Sequence, residues 1–221
     1  MSRKALLSWS SGKDAAHALH RLRLQGEVEV VGLLTTLNAA FDRVAMHGVR
    51  EALLEAQAAA VGLPLWKVPL PWPCSNEAYE AAMAGACARA AAEGIASVAF
   101  GDLFLEEVRA YREAKLAGTG LAPLFPLWGA DTAGLAREMV ATGLKATLVC
   151  VDPRVLDGGF AGRTFDADLL ADLPAGVDPC GELGEFHTFA WDGPGFAEPV
   201  AVAPGEVVER DGFVFADLVP A

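Results

Sequence analysis

The sequence predicts an α/β fold, a doubly wound parallel sheet followed by a smaller C-terminal α+β domain. Three observations carry this prediction. Between Lys4 and Asn38 a strand, a glycine turn, a helix and a second strand follow one another, which is a βαβ unit. Nearly continuous apolar runs such as Val28 to Leu34 then alternate with helix-length segments, as parallel strands covered on both faces do. After Leu121 the texture changes to proline- and glycine-rich sequence with hairpin signals, so the reading divides the chain into domains 1–121 and 122–221.

Taken in order, Ala5 to Trp9 is the first strand and Ser10 to Asp14 the turn. Ala15 to about Gln25 is a helix, and Val28 to Thr36 the second strand. A helix from about Met46 to Val61 closes at Gly62 and Pro64 and is followed by a short strand, Leu65 to Val68. The alanine-rich stretch from Ser75 to Glu93 is a strong helix former, stopped by Gly94 ahead of the strand Ser97 to Gly101. A helix from about Leu105 to Ala117 ends at Gly118. Beyond the boundary come a helix from Thr132 to Thr142 and a strand from Ala146 to Val151. The last forty residues read as hairpins, with Glu206–Glu209 and Phe213–Phe215 flanking a turn that contains Asp211-Gly212.

The chain has 221 residues, 53% of them apolar, enough to bury a core without a disulfide or metal staple. Lys and Arg number 17 against 29 Asp and Glu, a formal charge of −12, and no basic stripe offsets it. Coating a nucleic acid requires basic faces that displace counterions, so that class of partner is disfavoured. The longest uncharged run, Leu116 to Ala130, is broken by two prolines and three glycines and falls short of the roughly 18 apolar residues of a membrane span. With no signal-like leader either, a cytoplasmic location is expected. The four cysteines are scattered without a C-x-x-C pair, which argues against a zinc knuckle or dithiol motif.

The strongest local signal is Ser8-Trp9-Ser10-Ser11-Gly12-Lys13-Asp14 at a strand-to-helix junction. Small residues let successive N–H groups point outward, the helix adds its positive end, and Lys13 supplies a cation, which together make a phosphate cradle. It matches neither G-x-x-x-x-G-K-[ST] nor G-x-G-x-x-G, and an ordinary βα turn would look similar. Asp14 suits Mg²⁺, a hard cation, and equally suits a helix start. Asp102 follows a buried strand and should face the same sheet edge, where Arg109, Arg112 and Glu113 on the next helix either meet a substrate or pair with one another. Glu182, Glu185 and His187 lie in a glycine-punctuated loop, a cluster able to exchange a proton or coordinate an ion, and a solvated acidic turn would look the same. His17 and His20 are read as helix-face residues, and Cys180 is not read as a nucleophile.

Ser10-Ser11-Gly12-Lys13-Asp14 resembles the S-G-G-x-D-S loop of the PP-loop ATP pyrophosphatases, with Ser11 in place of a glycine and Ala15 in place of the final serine. Asp178-Pro-Cys-Gly-Glu-Leu-Gly-Glu-Phe-His-Thr188 resembles the G-E-x-G-E-[FY]-x-T signature of the diphthine–ammonia ligase family within that group, with Leu183 where Gly or Asn is commoner. Met46–Arg50, Phe100–Asp102 and Pro126–Gly129 follow the family in the same order, so the resemblance covers residues 4–195, in a compact form similar to a branch widespread in bacteria.

The resemblance implies a HUP-type fold that splits ATP into AMP and pyrophosphate, with Mg²⁺ as the metal. A carboxylate, on a small molecule or a protein side chain, would be activated as its adenylate and amidated by ammonia. It implies that Lys13, Asp14, Glu182, Glu185 and His187 are catalytic, and that Ser10, Ser11, Gly12, Lys13, Asp14, Leu34, Thr35 and Asp102 hold ATP. Asp14 would also hold the metal. His47 and Arg50 would border the nucleotide or substrate pocket, and Arg109, Arg112, Glu113 and Thr188 are read as substrate contacts from their own positions. Amidation of another acid, such as a corrinoid precursor, and a nucleotide sensor without turnover are the alternatives. A homodimer stays open.

Overall fold

The computed structural model describes residues 2–38, 43–44 and 48–221. Five strands form a parallel sheet in the order β4-β2-β1-β5-β6: β1 is Arg3–Ser8, β2 Val28–Asn38, β4 Leu65–Leu70, β5 Ser97–Ala99 and β6 Ala122–Leu124. A two-residue strand, β3 (Arg43–Val44), pairs antiparallel with the end of β2. Leu7 of β1 sits opposite Leu33 on one side and Ala99 on the other, so β1 is the strand from which the order departs in both directions. Loops leaving the carboxyl ends of β1 and β5 diverge there and open a crevice, the usual ligand position in such sheets.

Side chains alternate between the two faces, as the pleat requires. Leu6, Leu34, Val98 and Phe100 face one hydrophobic core with residues of α3 (Asn76–Ala92) and Leu116 of α4 (Glu106–Leu116). Ala5, Leu7, Leu33 and Ala99 face a second core with α1 (Lys13–Gln25) and α2 (Glu51–Val61). That second core continues into the C-terminal part of the chain. There β7 (Lys145–Val151), β8 (Phe186–Asp192), β9 (Val202–Arg210) and β10 (Phe213–Pro220) form an antiparallel sheet in the order β8-β7-β10-β9, flanked by α5 (Thr132–Ala141) and α6 (Ala167–Asp172).

Helix α1 touches β1 and β2 on one side and β8 on the other. Ala15, Ala16 and Ala18 are buried, and such short side chains are what let a helix lie between two sheets. The predicted α/β class and the smaller antiparallel-sheet domain are both present, with three local differences. Helix α2 begins at Glu51 rather than near Met46, because Arg50 is extended (φ −64°, ψ 139°) and caps it; Met46 lies outside the described residues. The parallel sheet takes in Ala122–Leu124, a strand whose two prolines, Pro123 within it and Pro126 after it, disguise it. The C-terminal hairpin is longer than its alternating centre suggests, although its turn is as expected, with Asp211 at φ 53° and Gly212 at φ 80°.

Candidate active site

The segment leaving β1 is held from behind by the neighbouring strand. Trp9 N donates to Leu34 O at 2.8 Å, and Thr35 Oγ1 donates to Trp9 O at 2.8 Å. Ser11 turns the chain with φ 71°, the left-handed region that costs a residue with a Cβ about 1–2 kcal/mol. Its carbonyl accepts from Ala190 N and from Gln57 Nε2, both at 2.9 Å, so β8 and α2 pin the turn in place. Gln57 is fully buried and also accepts from Trp9 Nε1 at 2.9 Å. At the start of α1, Gly12 N donates to Ser10 Oγ, while Lys13 N donates to Thr188 Oγ1 of β8 at 3.0 Å. A Cβ on Gly12 would lie 3.2 Å from Thr188 O, a tight contact that favours glycine where loop and strand approach.

The second wall is the loop 178–187, which is shaped by its own carboxylates. Asp178 Oδ1 accepts from Cys180 N at 2.9 Å and Glu182 N at 3.2 Å. Glu185 Oε1 accepts from Asp178 N at 2.9 Å, and its Oε2 from Leu183 N at 3.0 Å. Between them Gly181 takes φ 68°, where a Cβ would meet Phe186 O at 2.8 Å. Glu182 instead reaches across to the segment after β5, accepting from Leu103 N at 2.8 Å.

Lys13 joins the two walls. Its Nζ donates to Cys180 O and to both Asp14 oxygens, at 3.0 and 2.9 Å, and lies 5.5 and 5.4 Å from the ring centroids of Phe165 and Phe186. Burial alone would lower its pKa, yet Asp14, Cys180 and Glu182 around it leave it raised, so the ammonium stays charged.

Between the walls lies a cleft of about 280 Å³. Ser10, Gly12, Lys13, Asp14, Asp102, Arg112, Glu182, His187 and Thr188 all line it, brought together from four distant stretches of sequence. Burial, with the charges of Asp14 and Asp102, pushes Glu182 up to about 7. Asp102 is raised as well, again chiefly by burial, with Arg112 opposing. Arg112 Nε and Asp102 Oδ2 form an ion pair at 3.5 Å, and both atoms are buried without a hydrogen bond among the described residues. The Arg112 guanidinium stacks over Phe100 at 5.0 Å. His187 is lowered by burial and by Lys13, which keeps its imidazole neutral near pH 7.

Other residues expected at the site stand elsewhere. Ser11 is fully buried behind the loop, and Leu34 and Thr35 brace it. Glu185 is buried within its own loop and presents both oxygens to backbone N–H groups rather than to the cleft. Arg109 pairs with Glu113 at 2.8 Å on the exposed face of α4 and lies over Phe125 and Trp128, because their spacing of four residues favours each other. Arg50 is paired with Asp217 of β10 in a separate cavity. His47 lies outside the described residues. Cys180 is buried with its thiol pushed up to about 12, unsuited to nucleophilic work. The reading missed Gln57, whose signal is its spacing: a polar residue three and four places after Leu54 and Leu53 shares their buried face.

A parallel sheet whose divergent strand runs through a tight turn into a helix start, facing an acidic loop from a second sheet, defines an α/β fold of the kind that holds ligands at its strand ends. Comparison with known families makes this specific. A family model described as diphthamide synthase N-terminal domain matches residues 3–121, and one described as diphthamide synthase C-terminal domain matches residues 131–215. The chain belongs to the diphthamide synthase family. It is 31% identical over 131 residues to the diphthine–ammonia ligase of Homo sapiens and 33% to that of Mus musculus, in each case across 57% of this chain and 49% of the relative. To the Schizosaccharomyces pombe enzyme it is 34% identical over 95 residues, 41% of this chain and 16% of that protein. The matched stretch thus spans about half the length of the mammalian relatives, and less of the yeast one.

Proposed function

We propose that the protein is an ATP-dependent ligase that joins ammonia to a carboxylate. The carboxylate oxygen attacks the α-phosphorus of ATP, pyrophosphate leaves, and an acyl-adenylate forms. Ammonia then adds to the acyl carbon, AMP departs and one proton is lost, leaving an amide. The observation that carries this reading is the cleft itself, in which the first turn of α1 faces Arg112, Asp102, Glu182 and His187.

Each group suits one part of the reaction. Lys13 N is already bonded to Thr188, so the remaining first-turn N–H groups of α1, the positive end of the helix and the charged Lys13 are what favour the polyphosphate. Arg112, which lies over Phe100 and is ion-paired with Asp102, lines the cleft with a guanidinium suited to a carboxylate or phosphate oxygen. Neutral His187 suits the proton that ammonia releases. Mg²⁺ fits the donor set: Asp102 Oδ2 is buried without a hydrogen bond, and Asp14 shares its cleft. Among the described residues no three metal-binding side chains form a ready-made cluster, and Mg²⁺ beside a nucleotide usually takes only one or two carboxylates. Asp14 and Asp102 would hold it, and it would neutralise charge on the departing pyrophosphate.

The test is turnover. Purified protein with Mg²⁺-ATP, ammonium and a panel of carboxylic acids should release AMP and pyrophosphate in an ammonia-dependent manner with at least one acid. ATP binding without either product across the panel would favour a sensor. Unchanged ATP affinity and turnover in Lys13→Ala and Asp14→Ala would remove the loop from the site.

A further inference from the structure

Strand β9 is the outer strand of the C-terminal sheet and pairs, among the described residues, with β10 alone. Seven successive residues of it, Pro204 to Arg210, are exposed. Val207 and Val208 are 60% and 41% exposed, two adjacent apolar side chains left in solvent. A long strand edge with apolar side chains is a template for another strand.

The backbone specifies how a second strand would fit. Arg210 and Phe213 face each other across the two-residue turn Asp211-Gly212, so theirs is a hydrogen-bonded pair and the pairs alternate from there to Val207. Beyond it the register shifts at Gly205–Glu206, yet Glu206, Val208 and Arg210 line the same cavity and so share a face. Arg210 and Val208 therefore direct their N–H and C=O groups toward β10, and Val207 and Glu209 direct theirs outward. Two copies of β9 running antiparallel about a two-fold axis at Val208 would bring Val207 of each opposite Glu209 of the other, with all four outward groups bonded. In that register Glu206 of each copy stands opposite Arg210 of the other, twice by symmetry. A dyad at Val207 loses the ion pairs, and one at Glu209 opposes two like charges.

We propose that β9 is the surface through which two copies of this chain associate, joining their C-terminal sheets into one eight-stranded antiparallel sheet with its dyad at Val208. The self-complementary charge pattern selects a second copy over an unrelated strand. This inference is independent of the ligase reading, since it involves no residue of the cleft.

Sedimentation equilibrium of the full chain over a wide concentration range tests it. The expected result is a reversible dimer. Glu206→Arg and Arg210→Glu, each placing like charges opposite one another at two points, should each weaken dimerisation roughly tenfold. The double variant should restore it, a rescue that a merely misfolded single variant would not show. Val207→Pro, which removes an outward N–H, should give a monomer whose circular dichroism matches the parent. A wild-type chain that stays monomeric at every concentration, or a dimer indifferent to all four variants, overturns the proposal.

Discussion

The two walls of the cleft reach their shapes by opposite means. The loop at residues 9–13 is held mainly by neighbours far away in sequence: Leu34 and Thr35 of β2, Gln57 of α2, and Thr188 and Ala190 of β8. The loop at 178–185 is held largely by itself, through two carboxylates that each accept two of its own N–H groups. Many distributed anchors tolerate the loss of one. A few local anchors do not, because each removal strands more than one buried donor.

Four substitutions test that contrast. Glu185→Ala should have the largest effect, leaving Asp178 N and Leu183 N unpaired; unfolding in denaturant should show a loss of about 2–4 kcal/mol, and AMP release should fall at least a hundredfold. If Glu185→Ala keeps its stability and activity, the loop is not self-supporting. Gly181→Ala combines a left-handed φ with a 2.8 Å approach to Phe186 O, and thermal unfolding should register a cost of about 2 kcal/mol. On the other wall, Thr188→Val removes the acceptor for Lys13 N and should cost about 1 kcal/mol, accompanied by a several-fold weaker ATP affinity in calorimetry. Smallest, and of opposite sign, is Ser11→Gly: relief of φ 71° and of a buried hydroxyl without a partner should raise stability by about 0.5 kcal/mol after the added flexibility of the unfolded chain is counted.

The same contrast separates what was legible in the sequence. The βαβ unit was readable because periodicity is local, and so was the turn into a helix at Ser10–Asp14, since turn residues and a helix start are neighbours in the chain. Glu182 and His187 were legible as chemistry-bearing residues in a glycine-rich loop. That Glu185 faces inward while Glu182 faces the cleft was not, because the two differ in backbone direction rather than in type. Thr188 was read as a substrate contact; its hydrogen bond to Lys13 spans 175 positions, and no periodicity encodes such a meeting. Arg109 and Arg112 illustrate the same limit, for one turn of helix separates the guanidinium that lines the cleft from the one that stays outside.

The placement of α1 between two sheets has a consequence for how the molecule opens. Its alanines are buried between strands of both sheets, so opening the helix would disturb both parts of the core at once. Amides from Ala16 to Leu22 should therefore exchange with deuterium only when the whole chain unfolds, which makes this helix a reporter of global stability in hydrogen-exchange measurements. The turn that begins it would then be among the most rigid parts of the protein, set in its shape by the same two sheets.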